Sequence, residues 1–362
     1  MLRQLAENLR GRQNLNGISG RAGLAPAYAL SHAARTAWFA GQYVLAARLS
    51  PPPKGPPPAD RIPGWGYILK DLSALYRQDW ENIRAGLYRP PADLVPRPGK
   101  VLRNSRAFLQ DLPKVAQRRR RDDNSEVLSN TPKGAYPRYY MQNFHYQTDG
   151  WFSDESAEAY DHQVEVLFTG GADAMRRQAL PAIRRVVEEF PGDVPVELID
   201  IACGTGRFLR EVLRNNSTIS ATGLDLSRPY LHKAQRSLAA YPETRFLEAN
   251  AEDVPAEDGA YEIATCVYLF HELPKKVRRT VAKEIARIVK PGGVLVFVDS
   301  VQTGDHPPYD ALLQRFPMAF HEPYYTNYLD DDLEALFTDA GFAVESVDRA
   351  FFSRVMVLRR TA

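Results

Sequence analysis

The stretch at residues 196–206 constrains the fold of this chain more than any other, because an apolar run ends there in a glycine turn. It reads Val-Glu-Leu-Ile-Asp-Ile-Ala-Cys-Gly-Thr-Gly, which is typical of a buried strand followed by a tight turn. Gly204 and Gly206 can adopt backbone angles that are closed to other residues, so the main chain can approach a ligand closely. Residues 207–213 have the pattern of a following helix. The arrangement predicts a site for a nucleotide-like ligand.

The residues after this turn narrow the kind of ligand. A dinucleotide site usually has a third glycine, but Leu209 stands at that position, which argues against a pyrophosphate cradle. A second predicted strand at residues 219–224 is followed by Asp225, 21 positions after Gly204. A carboxylate at that offset can accept hydrogen bonds from both ribose hydroxyls. Asp225 therefore indicates a ribose without a 2′-phosphate.

From residue 196 onward, predicted strands alternate with helices, which indicates a doubly wound parallel sheet with right-handed crossovers. The last two strands are separated by only a few residues, so they should form an antiparallel pair at one edge. The predicted strands are residues 196–201, 219–224, 244–248, 262–268, 294–299, 343–347 and 351–358.

Four ordered motifs resemble those of class I S-adenosylmethionine-dependent methyltransferases. They are residues 198–206 (LIDIACGTG), 223–227 (GLDLS), 250–255 (NAEDVP) and 290–293 (KPGG). The resemblance extends from about residue 160 to the C-terminus. It implies a Rossmann-like, seven-stranded α/β sheet with an antiparallel last strand. It also implies methyl transfer from S-adenosylmethionine by direct displacement, which requires neither a covalent intermediate nor a metal.

The same resemblance implies which residues hold the cofactor. Asp200 and the backbone of residues 204–206 should contact its methionine end, and Asp225 its ribose. The family often has an aspartate where Asn250 stands, but the Asn250 carbonyl can still accept from the adenine amino group, and the Ala251 N–H can donate to the ring. The alternatives are a capped strand end for Asp200 and an ordinary turn residue for Asn250. The predicted cofactor residues are Asp200, Ala202, Gly204, Thr205, Gly206, Asp225, Leu226, Asn250, Ala251 and Tyr268.

His271 is the predicted general base. It follows the fourth predicted strand, within residues 267–274, at the edge where the transferable methyl group should lie. Because the usual imidazole pKa is close to neutral pH, His271 could take a proton from a hydroxyl, a phenol or an activated carbon acid. The alternative is that it caps the next helix or orients Glu272, since many methyltransferases act by proximity alone.

Two aromatic-rich segments are candidates for the acceptor site. Residues 301–329 form an insertion after the fifth strand that could act as a lid. Residues 136–151 are too aromatic for a solvated loop, and they predict either a clasp between domains or a wall of the pocket. His321 and Glu322 are adjacent donors without a spaced second pair, so no metal site is predicted. The predicted acceptor contacts are Tyr146, Tyr160, His321 and Tyr325.

The N-terminal region lies outside the resemblance. Residues 27–49 and 67–87 have apolar side chains at helical spacing. Residues 51–58 contain six prolines and predict an extended spacer, and residues 118–125 predict an exposed linker. The predicted division is a basic, mainly helical domain at 1–125, an aromatic linker with leading helices at 126–190, and an S-adenosylmethionine-binding domain at 191–362.

Charge is distributed unevenly along the chain. Residues 1–121 carry 21 Lys and Arg against 7 Asp and Glu, although the whole chain has a net charge of only +2. This asymmetry predicts contact with an anionic partner, either a phospholipid surface, a nucleic acid or the acidic domain beside it. The two cysteines, Cys203 and Cys266, give no reason to expect a disulfide. We therefore expect a cytoplasmic protein, with peripheral membrane contact left open and organellar targeting by residues 1–48 as an alternative.

The leading functional hypothesis is methyl transfer to a small, hydrophobic or aromatic acceptor. A first alternative is RNA or another macromolecule held by the basic N-terminal domain. A second is a non-catalytic module that binds S-adenosylmethionine. Fold alone does not determine the acceptor, and neither the methylated atom nor the oligomeric state is predicted.

Overall fold

The structure is a computed structural model. It describes residues 24–51, 62–94, 98–121, 126–127, 134, 136–192 and 194–361. The proline-rich spacer predicted at residues 51–58 lies outside the described residues apart from Pro51, and so do residues 122–125 of the predicted linker.

A seven-stranded sheet with the order β3-β2-β1-β4-β5-β7-β6 forms the centre of the molecule. Strands β1 to β5 pair in parallel, whereas β7 pairs antiparallel with both β5 and β6. This topology confirms the predicted doubly wound sheet and its antiparallel last strand. The strands are β1 (Val196–Ile201), β2 (Ile219–Asp225), β3 (Arg245–Glu248), β4 (Tyr261–Val267), β5 (Val289–Ser300), β6 (Phe342–Ala350) and β7 (Ser353–Arg360).

Helices cover the sheet and precede it. They are α1 (Ala25–Leu49), α2 (Trp65–Ala85), α3 (Pro98–Arg121), α4 (Asp154–Leu167), α5 (Ala172–Arg177), α6 (Leu180–Val187), α7 (Arg207–Asn215), α8 (Arg228–Ser237), α9 (Lys275–Ile288), α10 (Pro307–Ala319), α11 (Tyr325–Leu329) and α12 (Leu333–Asp339). Short 3₁₀ turns lie at Phe144–Tyr146 and Phe270–Glu272.

Helix α7 shows how apolar spacing fixes the first crossover. Its buried residues Phe208, Leu209, Val212 and Leu213 recur at the spacing of one helical face. Leu209 is fully buried, so the position that is glycine in many dinucleotide sites supplies core packing here. The central strands are buried on both faces, as covered parallel strands are.

The N-terminal helices share a core with the sheet domain. Tyr28 of α1 and Leu72, Leu75 and Ile83 of α2 belong to the same buried apolar cluster as the central strands. A buried ion pair reinforces this contact, because Arg177 of α5 donates to both carboxylate oxygens of Asp79 at 2.9 and 2.7 Å. The helices before residue 122 therefore pack directly on the domain that follows, while the predicted boundary itself stays a prediction.

Part of the positive charge of the N-terminal region is neutralised inside the molecule. Arg35 of α1 lies 2.9 Å from Glu165 and 3.3 Å from Asp173, both on helices that lead into the sheet. The charge asymmetry allows three kinds of anionic partner for the N-terminal region. Arg35 contacts one of them, the acidic domain that follows in the chain. Among the described residues, no helix combines the length and the apolar character needed to cross a membrane.

The prediction of a linker is wrong for Arg118–Arg121, which form the last turn of α3, although Arg120 and Arg121 are exposed as predicted. Arg118 donates to the Thr148 hydroxyl at 2.9 Å, and Arg119 donates to the Ser50 carbonyl at 2.9 Å. A run of basic residues is favourable in a last helical turn, because the helix dipole is negative there. The composition of this basic segment alone suggested a solvated loop. Its structure is instead determined by the continuation of α3 through these residues and by the contacts with Thr148 and Ser50.

We predict that Asp79→Ala lowers the free energy of unfolding by about 3–5 kcal/mol, because it leaves the buried Arg177 guanidinium without its partner. Tyr28 and Tyr88 also donate to this carboxylate. Urea denaturation followed by circular dichroism measures the change. Glu81→Ala on the exposed face of the same helix is the matched control, with an expected change within about 0.5 kcal/mol. Equal effects of the two substitutions would contradict the role of the ion pair.

Candidate active site

The site lies where four parallel strands end. Ile201 at the end of β1 pairs with Leu224 of β2 and with Cys266 of β4. Val267 of β4 pairs with Val298 of β5. The loops that follow these strands therefore meet along one edge, which is where open α/β sheets bind their ligands.

The glycine turn after β1 has the predicted left-handed backbone. Gly204 has a φ of 56° and Gly206 a φ of 70°, and a Cβ on Gly206 would stand 3.0 Å from the Ala234 Cβ. Ala202 also has a positive φ of 56°, which is uncommon outside glycine and marks a constrained position. Thr205 donates its hydroxyl to Asp161 of α4 at 2.7 Å. The turn is thus hydrogen-bonded to α4 and lies close against Ala234 of α8.

Asp225 clamps this turn from the end of β2. Its two carboxylate oxygens accept from the N–H groups of Gly204 and Ser227, each at 2.8 Å. Burial raises the pKa of Asp225 to about 6 despite these hydrogen bonds. Each oxygen keeps a second lone pair, so the carboxylate can also accept from ligand hydroxyls.

Asp200 is a second buried carboxyl group at the same edge. Burial raises its pKa to about 7, although Thr265 donates to Asp200 Oδ1 at 2.6 Å. A cationic group bound beside Asp200 would favour its ionised form. The two carboxylates therefore suit a ligand that has an ammonium group at one end and hydroxyl groups further along, as S-adenosylmethionine does.

The aromatic segment closes over the ends of β2 and β3. Tyr139 donates its hydroxyl to Glu252 at 2.6 Å. The Asn250 carbonyl accepts from the Glu252 N–H at 3.1 Å and stands beside the half-buried Ala251. Leu226 is also half-buried, just after β2. The edge predicted for an adenine is thus walled by a tyrosine from the preceding segment.

His271 lies in the turn after β4 and pairs with Asp299 of β5. The distance from His271 Nδ1 to Asp299 Oδ1 is 2.6 Å, and the other carboxylate oxygen accepts from the Phe270 N–H at 2.7 Å. Burial alone would lower the pKa of His271, but the charge and hydrogen bond of Asp299, together with the smaller effects of the Glu272 and Glu322 charges, raise it to about 9. Because Nδ1 donates to Asp299, Nε2 is the nitrogen left for proton exchange.

A cavity of about 390 Å³ opens beside His271. Most of its wall is apolar, whereas His271, Tyr268, Glu272, Ser300 and Tyr325 supply polar groups. A second cavity of about 160 Å³ shares several wall residues with it. The apolar wall of the larger cavity includes residues from the N-terminal helices, the leading helix α4, the insertion and the β6–β7 turn: Tyr43, Trp65, Ile68, Val164, Leu167, Phe168, Leu312, Leu313, Phe316, Ala319, Phe351 and Phe352.

The predicted acceptor residues fall into two groups. Tyr160 and Tyr325 line the large cavity, and the Tyr325 hydroxyl lies 2.6 Å from that of Ser300. Tyr146 and His321 are not part of the cavity wall that the described residues form. Their ring centroids lie 5.7 Å apart, and His321 Nε2 lies 2.9 Å from Gln142 Oε1. Tyr268, predicted beside the cofactor, also lines the cavity.

Several residues of the site escaped the sequence analysis. Asp299 could have been found, because a polar residue at the end of β5 must adjoin the loop after its parallel neighbour β4. Tyr139 gave no such signal, since its contact with Glu252 joins residues 113 positions apart. Residues of the aromatic segment lie in two different environments. His145 lines the cavities, whereas Phe144 and Trp151 pack in a buried cluster with Tyr230.

Comparisons with known proteins point in one direction. Residues 198–293 match the protein family described as "Methyltransferase domain". O-methyltransferase cnsE from Penicillium expansum is 31% identical over 159 residues, which cover 41% of this chain and 53% of that protein. A demethylmenaquinone methyltransferase from Desulfitobacterium hafniense is 31% identical over 147 residues, or 40% of this chain and 54% of that protein. The chain thus spans little more than half the length of these relatives.

Among solved structures, a SAM-dependent methyltransferase from Aquifex aeolicus is similar with a TM-score of 0.36 and 17% sequence identity. The match covers 48% of this chain and 87% of that one.

We predict that Asp299→Asn lowers the pKa of His271 by about 1–3 units, because it removes the charge that stabilises the imidazolium. Titration of the ring carbon signals by NMR, in protein with isotope-labelled histidine, measures the change. Asp253→Asn removes an exposed carboxylate elsewhere and should leave the His271 titration where it is. An unaltered His271 pKa in Asp299→Asn would contradict the pairing.

Proposed function

Because the chain belongs to the class I S-adenosylmethionine-dependent methyltransferase superfamily, we propose that it transfers a methyl group from S-adenosylmethionine to an oxygen of a small hydrophobic acceptor. The observation that carries this proposal is the placement of the His271–Asp299 pair in the wall of a largely apolar cavity, at the edge of the sheet. We propose a cytoplasmic enzyme, with the basic N-terminal region available for membrane contact.

The geometry of the edge supports a proposed set of cofactor residues. The backbone of residues 204–206 and Asp200 would hold the methionine end, and Asp225 the ribose. Asn250 and Ala251 would meet the adenine, under the cover of Tyr139. When bound, S-adenosylmethionine supplies an electrophilic methyl group on a sulfonium, which an acceptor oxygen can take by direct displacement.

The cavity favours a hydrophobic acceptor over a nucleic acid. Its volume lies within the range of about 300–1,000 Å³ for small-molecule sites, and its wall has the apolar composition of such sites. A single-stranded nucleic acid would instead need a basic groove that follows its backbone. The N-terminal helices supply Tyr43, Trp65 and Ile68 to this wall. We therefore propose that the N-terminal region selects the acceptor.

His271 would act as the base in this reaction. An acceptor hydroxyl hydrogen-bonded to His271 Nε2 gives up its proton to that nitrogen while its oxygen forms the new bond to the methyl carbon. S-adenosylmethionine, when bound, would supply that methyl carbon, and the electron pair of its carbon–sulfur bond would stay with the sulfur. A base whose pKa is about 9 is well matched to a phenol, whose pKa is about 10 as in tyrosine. Asp299 orients the ring and stabilises the imidazolium that forms.

The proposal is tested by incubating the purified protein with methyl-labelled S-adenosylmethionine and fractionated cell extract. We expect the label in the fraction of small apolar molecules, and we expect Ala319→Trp to reduce it at least about 10-fold, because the new ring fills the cavity. Ala335→Trp on the exposed face of α12 should have no effect, and both variants should bind the cofactor normally. Asp225→Ala should lose cofactor binding and transfer together. Label in RNA or protein, or no transfer at all, would refute the proposed acceptor class.

A pH profile tests the role of His271. The base must be neutral, and the neutral form of a group with a raised pKa of about 9 predominates only above that pH. We therefore predict that kcat/KM at saturating cofactor rises roughly 10-fold per unit up to pH 9 and then levels off. The informative window is pH 7.5–9.5, above the pKa values of about 7 and about 6 for Asp200 and Asp225. A flat profile there, or full activity in His271→Ala, would exclude His271 as the base.

A further inference from the structure

Three distant parts of the chain bring metal-ligand groups together beside the cavity. One ring nitrogen of His145, one carboxylate oxygen of Glu272 and one of Glu322 all lie within 4.8 Å of one another. His145 comes from the aromatic segment, Glu272 from the turn after β4, and Glu322 from the insertion. Donor atoms that share one ion at bonds of 2.0–2.2 Å lie at most about 4.4 Å apart. A small movement of the side chains would therefore bring all three into one coordination sphere.

Glu322 is the buried member of this cluster. Its side chain is 0% exposed, and its Oε1 lies 2.7 Å from His145 Nε2. Its Oε2 is also buried, and none of the residues that the structure describes donates a hydrogen bond to it. A buried carboxylate oxygen without a donor is costly unless a cation neutralises it. The arrangement of Glu322 thus points to a positively charged ligand independently of the other two residues.

Glu272 adds a second carboxylate to the same place. One of its carboxylate oxygens lies within 4.8 Å of a carboxylate oxygen of Glu322. Two neighbouring carboxylates repel each other when both are ionised. A divalent cation between them would remove this repulsion and keep both ionised, as bound metal ions do.

The backbone fixes His145 in a conformation that serves this contact. Its φ is 56° and its ψ is 16°, in the left-handed region that few residues other than glycine adopt. Its N–H donates to the His321 carbonyl at 3.2 Å, which ties the aromatic segment to the insertion directly before Glu322. Strained backbone of this kind persists where the surroundings hold it, and such residues cluster at functional sites.

We propose that His145, Glu272 and Glu322 bind one divalent transition-metal ion, such as Mn²⁺, whose remaining coordination positions face the acceptor cavity. One imidazole and two carboxylates are a donor set that suits ions of this class. Three protein ligands leave positions for water or substrate, as catalytic metal sites do. His145 and Glu272 both line the large cavity, so an acceptor oxygen could complete the coordination sphere. This site goes beyond the proposed methyl transfer.

The test uses the full-length protein, stripped of metal with a chelator and titrated with Mn²⁺. Free Mn²⁺ is followed by electron paramagnetic resonance, with no cofactor or acceptor present. We expect one tight site per chain and a rise in the thermal midpoint on binding. Because methyl transfer is not measured, failure of the metal site and failure of the proposed function are distinguishable.

Variants identify the ligands. Glu272→Gln and Glu322→Gln should each weaken Mn²⁺ binding at least about 10-fold, since even the outer-shell partners of metal ligands are worth 10–100-fold in affinity. His321→Gln is the matched control, because His321 precedes Glu322 in the chain but lies outside the cluster, and we expect it to bind Mn²⁺ as the unaltered protein does. Circular dichroism confirms that each variant is folded. Glu272 is partly exposed, with 16% of its side chain accessible, so its substitution keeps the test open if Glu322→Gln does not fold.

Two results would overturn the proposal. Weak Mn²⁺ binding that is equal in all variants would show that the ion binds only adventitiously. Tight binding that survives both Glu272→Gln and Glu322→Gln would place the metal elsewhere in the chain.

Discussion

Parallel pairing is the constraint on which the rest of this structure depends. It aligns the carboxyl ends of β1, β2, β4 and β5, so everything that follows these strands must meet along one edge. The glycine turn, Asp225, His271 and Asp299 are far apart in sequence and reach the same edge for this reason alone. The buried carboxylates of Asp225 and Asp299 tolerate their position because backbone N–H groups donate to them.

The N-terminal helices supply part of the wall of the cavity at this edge. They share the core of the sheet domain through α2 and are locked to it by the Asp79–Arg177 pair. The same helices supply apolar walls to the cavity beside His271. The stability of the molecule and the shape of the cavity are therefore coupled, and a change that loosens α1 or α2 would also reshape this cavity.

The sequence predicts the sheet well, because each strand and the turn after it are encoded in a short, continuous segment. The apolar run before Gly204 and the carboxylate at Asp225 each follow from a short segment, and both lie where they were expected. What sequence reasoning missed depends on packing between distant segments. The contact of His145 with Glu322 joins residues from two loops, and neither loop has a regular pattern. The run at Arg118–Arg121 was misread because its partners, Ser50 and Thr148, lie far away in the chain.

The central claim is that the cofactor edge and the acceptor cavity meet at His271. A crystal structure with bound S-adenosylhomocysteine, the product of methyl transfer, tests this most directly. We predict that the ribose hydroxyls contact Asp225 and that the sulfur faces the cavity between Tyr268 and His271. A sulfur atom that is separated from the cavity by protein side chains, or a ligand bound away from the glycine turn, would contradict the account.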